Sequence, residues 1–187
     1  MIPIEYLWGV LILVFAVIGM VRGLWRELGV TTIVLLSLFA LHVGQELIVD
    51  NFAQNPPLGP LMGAPDGTIY ALYYGVTICF VAFISYQGIT LEFPVKKQGG
   101  LFKWFFGFFG GLLNGYLIVG TIWNVINNAD YFGWIPSGAV FPISSTTTQF
   151  YNRAIEYLPV SLMNSNDFVP YTFLVLGMIL LLAIILK

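Results

Sequence analysis

Apolar runs, and the side on which the cations between them fall, constrain this chain more than any other feature. Residues 6–21, 28–43, 69–89, 101–126 and 171–186 form runs long enough, or nearly so, to cross a bilayer. If all of them span, Arg22 and Arg26 fall between the first two runs. Lys96, Lys97 and Lys103 then lie between or beside the third and fourth, and Lys187 follows the fifth. Of the 7 Lys and Arg residues, only Arg153 falls on the opposite face. Short loops rich in Lys and Arg stay in the cytoplasm, so this pattern predicts an external N-terminus and a cytoplasmic C-terminus. Glu5, Glu46, Asp50, Asp66, Asp130, Glu156 and Asp167 sort to the external side.

With 58% hydrophobic and 9% charged residues, the chain has too little polar surface to cover a soluble globule of 187 residues. The expected class is therefore all-α, a polytopic membrane helix bundle of about five transmembrane helices. The net charge of −2 conceals a segregated distribution and gives no support to nucleic-acid binding. Glu5 precedes the first run and its arginines follow it, the reverse of a secretory leader, so this run is expected to remain as the first helix. Cys79, the single cysteine, lies inside the third run, has no internal disulfide partner and reads as a small apolar residue.

The first, second and fifth runs fall short of the roughly 20 residues that a hydrocarbon core of about 30 Å asks for. Flanking residues supply the difference: Ile2 and Ile4 for the first helix, residues 23–25 for the second, and Val169 with Pro170 for the fifth. The fourth is longer and is expected to tilt or project. The external loop 45–68 holds Pro56, Pro57, Pro60 and Pro65 with Gly59, Gly63 and Gly67, a density that favours an irregular cap. The external segment 127–169 is too long for a simple connection. In it Ser144, Ser145 and Thr146 precede Gln149 as in a capping box. Phe150, Ala154, Ile155, Leu158 and Leu162 then recur at helical spacing opposite Asn152, Arg153 and Glu156. An external amphipathic helix is expected, resting either on lipid or on its own bundle. Tyr131, Trp134, Tyr151 and Tyr157 suit the aromatic belt at that surface.

Gly107, Gly111 and Gly115, spaced four apart, form a ridge without side chains along the fourth run, and Gly19 with Gly23 forms a shorter one on the first. In lipid, such ridges let backbones approach closely. Helices one and four are expected to pack together, or the fourth to pair with its own copy; the alternative to packing is a moving gate or permeation groove. Asn114, midway along the fourth run, is the most deeply placed strongly polar side chain and needs a helix, a water or a solute as partner. Asn124, Asn127 and Asn128 crowd the external end, where solvent and capping explain them.

Arg22, Arg26 and Glu27 form the one dense ionic group. The arginines are one turn apart if the first helix continues, and Glu27 opens the second run, where a helix N-terminus favours an anion. This group reads either as an orientation anchor with snorkelling arginines or as a charge cluster that faces Lys96, Lys97 or Lys103 and gates a cavity. With Asn114 it makes a candidate polar path.

His42 and Glu46 share a helical face at the external end of the second run, beside Gln45, but two ligands without a third do not make a metal site. Haem or pigment ligation would rest on His42 alone. No metal and no cofactor is expected. There is no G-x-S-x-G elbow, no H-E-x-x-H pair and no phosphate-cradling glycine loop, and no two carboxylates share a transmembrane run. A non-enzymatic role is expected.

Glu5 and Tyr6, followed by Gly19-x-x-Arg22-Gly23-x-x-Arg26-Glu27, resemble the first block of the bacterial colicin V production protein (CvpA-like) family. The Gly107, Gly111 and Gly115 ridge is similar to that family's glycine-rich fourth helix, and the serine-rich stretch 144–162 extends the resemblance over residues 1–162. Two positions depart from it: Asn114 stands where the family commonly has a basic residue, and Lys103 comes one position early. The resemblance implies a four-helix membrane domain over 1–162, including the external segment 127–169, with residues 170–187 adding a C-terminal transmembrane helix that faces lipid or another subunit. It also implies a bacterial inner-membrane protein concerned with toxin production or export, small-solute transport or envelope homeostasis. The alternative is a non-catalytic accessory subunit of a respiratory, photosynthetic or secretion complex. The expected partners are the lipid bilayer and either further copies of the chain or the subunits of such a complex.

Overall fold

The computed structural model describes residues 4–45, 67–87, 100–129 and 145–186, which form helices and short turns with no strand among them. In chain order the helices are α1 (Ile4–Arg22), α2 (Leu24–Gln45), α3 (Gly67–Gln87), α4 (Leu101–Asn128), α5 (Ser145–Glu156), α6 (Pro159–Ser165) and α7 (Phe168–Ile185). Four of these, α2, α3, α4 and α7, are long and apolar enough to cross a membrane, whereas α1 carries a shorter apolar stretch over Tyr6–Arg22. The sequence runs fall on α1, α2, α3, α4 and α7, although Ile89, the expected end of the third, lies outside the described residues. So do Lys96, Lys97, Lys187 and most of the expected external cap.

α2 and α4 form the centre of the bundle. α1 lies along α4, α3 rests on both α2 and α4, α7 lies on α2, and α5 and α6 cover one end. The contacts of α1 with α4 run antiparallel, from Gly19 beside Gly107 and Gly111 to Trp8 stacked on Trp123 at 5.9 Å. A Cβ on Gly19 would sit 2.7 Å from the Gly111 Cα, and one on Gly111 would sit 2.9 Å from the Gly19 Cα. No side chain fits between these backbones, and dispersion over that close approach holds the pair together. The ridge of Gly107, Gly111 and Gly115 is therefore occupied by α1 within one copy of the chain.

The first helix does not continue through Arg26 but ends before Gly23, and residues 24 and 25 belong to the second helix, as expected. Gly23 has a φ of 86°, and its N–H bonds to the Gly19 carbonyl at 2.7 Å, ending α1. That left-handed conformation suits glycine, and it turns the chain so that α2 begins one residue later. The apolar core runs along α2 and α4 through Val30, Val34, Leu38, Leu117 and Ile118, with Ile78 of α3 and Met163 of α6.

The amphipathic segment expected on the external side also differs from its expected form. The spacing predicts one helix carrying Phe150 through Leu162 on a single face, but α5 stops at Glu156 and α6 starts at Pro159. Proline fixes its own φ and lacks an N–H, so it opens a helix more readily than it continues one. Tyr151 and Leu158 are buried against Trp8, Val119 and Trp123, so this segment rests on its own bundle. Phe150, expected on the apolar face, is 62% exposed because Tyr151 occupies the inward position instead. Ser144 of the expected capping box lies outside the described residues.

Candidate functional site: a buried carboxylate at the α1–α2 turn

The sharp turn at Gly23 folds the end of α1 back beside the first turn of α2 and so brings Arg22 to Glu27. Arg22 Nη1 donates to Glu27 Oε1 at 3.2 Å, and Arg22 Nη2 donates to the Ser85 carbonyl of α3 at 3.3 Å. The guanidinium lies 4.4 Å from the centroid of the Tyr86 ring, whose negative face attracts it. Glu27 has no exposed surface. Its Oε2 accepts from the Tyr86 hydroxyl at 2.9 Å and from Asn114 Nδ2 at 2.8 Å.

Asn114 is equally buried and ties the carboxylate to the middle of α4. Its amide also reaches the Glu27 backbone carbonyl at 2.9 Å, and its Oδ1 accepts from the Thr31 hydroxyl at 2.7 Å. Each polar atom of the amide thus has a partner, as a polar group removed from water requires. Gly110 creates the space for this arrangement: a Cβ there would approach the Glu27 Cβ to 2.9 Å. The result is an ion pair between α1 and α2 whose carboxylate also accepts hydrogen bonds from α3 and α4.

Of the candidate polar path, Arg22, Glu27 and Asn114 are brought together. Arg26, the remaining member, lies on the exposed side of α2. Lys103 lays its aliphatic stem against Gly23, where a Cβ would meet its Cε at 2.9 Å. Sequence reasoning missed Tyr86, Thr31 and the Ser85 carbonyl. Thr31 carries a readable signal, since it lies four residues after Glu27 and so on the same helix face. Tyr86 is recognisable only as a hydroxyl near one end of an apolar run, a placement that fits many interfacial tyrosines.

Elsewhere, His42 is half-buried and its Nδ1 has no hydrogen-bond partner among the described residues, while Glu46 lies outside them. No group of three His, Cys, Asp or Glu residues able to hold a metal occurs among the described residues. Asn124, expected at a solvated helix end, is instead 1% exposed and donates to Ser161 Oγ at 2.6 Å. Comparisons with protein-family models, with curated proteins and with solved structures found no match to the chain.

Proposed function

We propose that this chain is a multi-pass protein of a bacterial inner membrane, crossed by α1, α2, α3, α4 and α7, with its N-terminus outside and its C-terminus in the cytoplasm. In this reading the Arg22–Glu27–Asn114 core is its working part. It acts on a small polar solute or ion in the service of toxin export or envelope homeostasis, the role that the CvpA-like resemblance implies. The observation that carries the reading is the Glu27 carboxylate, wholly buried in an apolar helix and held by donors from three other helices. A charge inside a spanning segment is costly, and such groups mark ion, proton or substrate pathways far more often than packing. The path is closed in this conformation, because neither Glu27 nor Asn114 has exposed surface. Function therefore requires α1 to move against α4, or α3 to withdraw Tyr86.

Thiol accessibility tests the path directly. In a Cys79→Ser background, Asn114→Cys and Thr31→Cys are expected to react with a membrane-impermeant maleimide applied from the cytoplasmic side of inverted vesicles. The reaction should be slow, at the rate at which the closed path opens. If both positions stay unreactive while an exposed control at Arg26→Cys labels fully, the core is a structural fastening and the path is wrong.

A second reading, an accessory subunit of a larger membrane complex, is favoured by α7. Only Pro170 and Gly177 of that helix are buried, which leaves most of its apolar surface uncovered by the rest of the chain. Native-gel separation after mild detergent extraction, followed by mass spectrometry, distinguishes the two. Co-migration with defined subunits supports the accessory role, whereas recovery of the chain alone or as a homo-oligomer supports autonomous function.

A further inference from the structure

We infer that the cleft between the far end of α4 and the α5–α6 corner binds a neutral, hydroxyl-rich ligand, a saccharide of one or two rings. The inference does not depend on the Glu27 reading, because the cleft begins about 15 Å along α4 from Asn114. Its volume is about 630 Å³, within the range of small-molecule clefts. Asn124 forms the floor and is spent on structure: its Nδ2 donates to Ser161 Oγ at 2.6 Å, and its Oδ1 accepts from Asn128 Nδ2 at 3.1 Å. Those two bonds orient the rim. Ser161 keeps its hydroxyl proton to donate, and the Asn128 side-chain carbonyl oxygen, with no partner among the described residues, is left to accept.

The Glu156 carboxylate, also lining the cleft, is exposed and has no hydrogen-bond partner among the described residues. Ile155 and Leu162 supply apolar wall, and Tyr157, 65% exposed, offers a ring at the mouth. No Lys or Arg is among the described lining residues, so none of them brings a positive charge to a phosphate or carboxylate. A single exposed carboxylate is too little for a metal. Oriented donors and acceptors side by side, one carboxylate and an aromatic face match vicinal hydroxyls, which donate and accept at once, and the C–H face of a sugar ring.

Saturation-transfer NMR on the full chain in lipid nanodiscs tests the assignment, with N,N′-diacetylchitobiose and maltose as saccharide probes and trialanine and spermidine for comparison. The expected result is transfer to the ring protons of at least one saccharide, exceeding that to either comparison probe. Glu156→Ala and Ser161→Val should each weaken binding by about tenfold, and Gln87→Ala, at the other end of the bundle, should leave it unchanged. Absence of saccharide transfer, transfer unaltered in both cleft variants, or stronger transfer to trialanine or spermidine would each overturn the proposal. Glu156 is exposed, so its variant tests binding without threatening the fold.

Discussion

Glu27 concentrates the chemistry of the bundle in one side chain, and removing it alone should be costly for a specific reason. Arg22, Tyr86 and Asn114 would each lose a bond to the carboxylate they share, leaving a half-buried cation without its counter-charge and the Tyr86 hydroxyl and one Asn114 N–H without their acceptor. Breaking a buried pair from one side typically costs about 3–5 kcal/mol, whereas replacing both partners with apolar groups is often neutral. Glu27→Ala is therefore expected to lower the thermal midpoint in detergent sharply, and Arg22→Met with Glu27→Leu to recover at least half of that loss. A double variant as unstable as the sum of its singles would show that the two residues are not coupled. If the double variant folds but has lost solute flux, the pair is retained for function and not for stability.

At the scale of the helix, the glycines of α1 and α4 behave differently according to what faces them. A Cβ on Gly9 would meet nothing within 4 Å, whereas one on Gly111 would stand 2.3 Å from the Phe15 carbonyl oxygen. Gly9→Ala should accordingly gain up to about 1 kcal/mol from helix propensity, while Gly111→Ala forces two backbones apart and should cost about 1–3 kcal/mol. Unfolding of both variants under the same detergent conditions checks the contrast. Equal effects would mean that α1 and α4 do not meet at this ridge. α7 makes a smaller version of the same contact, where a Cβ on Gly177 would meet Leu36 at 2.9 Å. There the neighbour is a side chain able to rotate, so substitution should be milder than at Gly111.

For the whole molecule, the two polar regions lie at opposite ends of the α4 bundle: the ion pair beside the Gly23 turn, and the amide-lined cleft beside the α5–α6 corner. In the proposed orientation the first is cytoplasmic and the second external. Single cysteines at Arg26 and Tyr157, both exposed, should then be labelled by an impermeant reagent only from inside and only from outside, respectively. Labelling of both from one side would reject the orientation. Much of this organisation was legible in the sequence because it rests on terms that are local or sum over a segment. Lipid admits only backbone that satisfies its own hydrogen bonds, so an apolar run of sufficient length reads as a helix. A four-residue spacing of glycines reads as a bare ridge. Which surfaces meet is not such a term. The positive φ at Gly23 parted Arg22 from Arg26, Pro159 broke the amphipathic helix in two, and the occupation of the Gly111 ridge by α1 left Glu27, Asn114 and Tyr86 facing one another. Residue order was enough to specify the helical class, to mark Asn114 as a group in need of a polar partner and to place Glu27 in an ionic cluster at a helix start. Packing chose those partners, because a buried carboxylate is satisfied by whichever donors arrive from elements as far apart in the chain as α1 and α4.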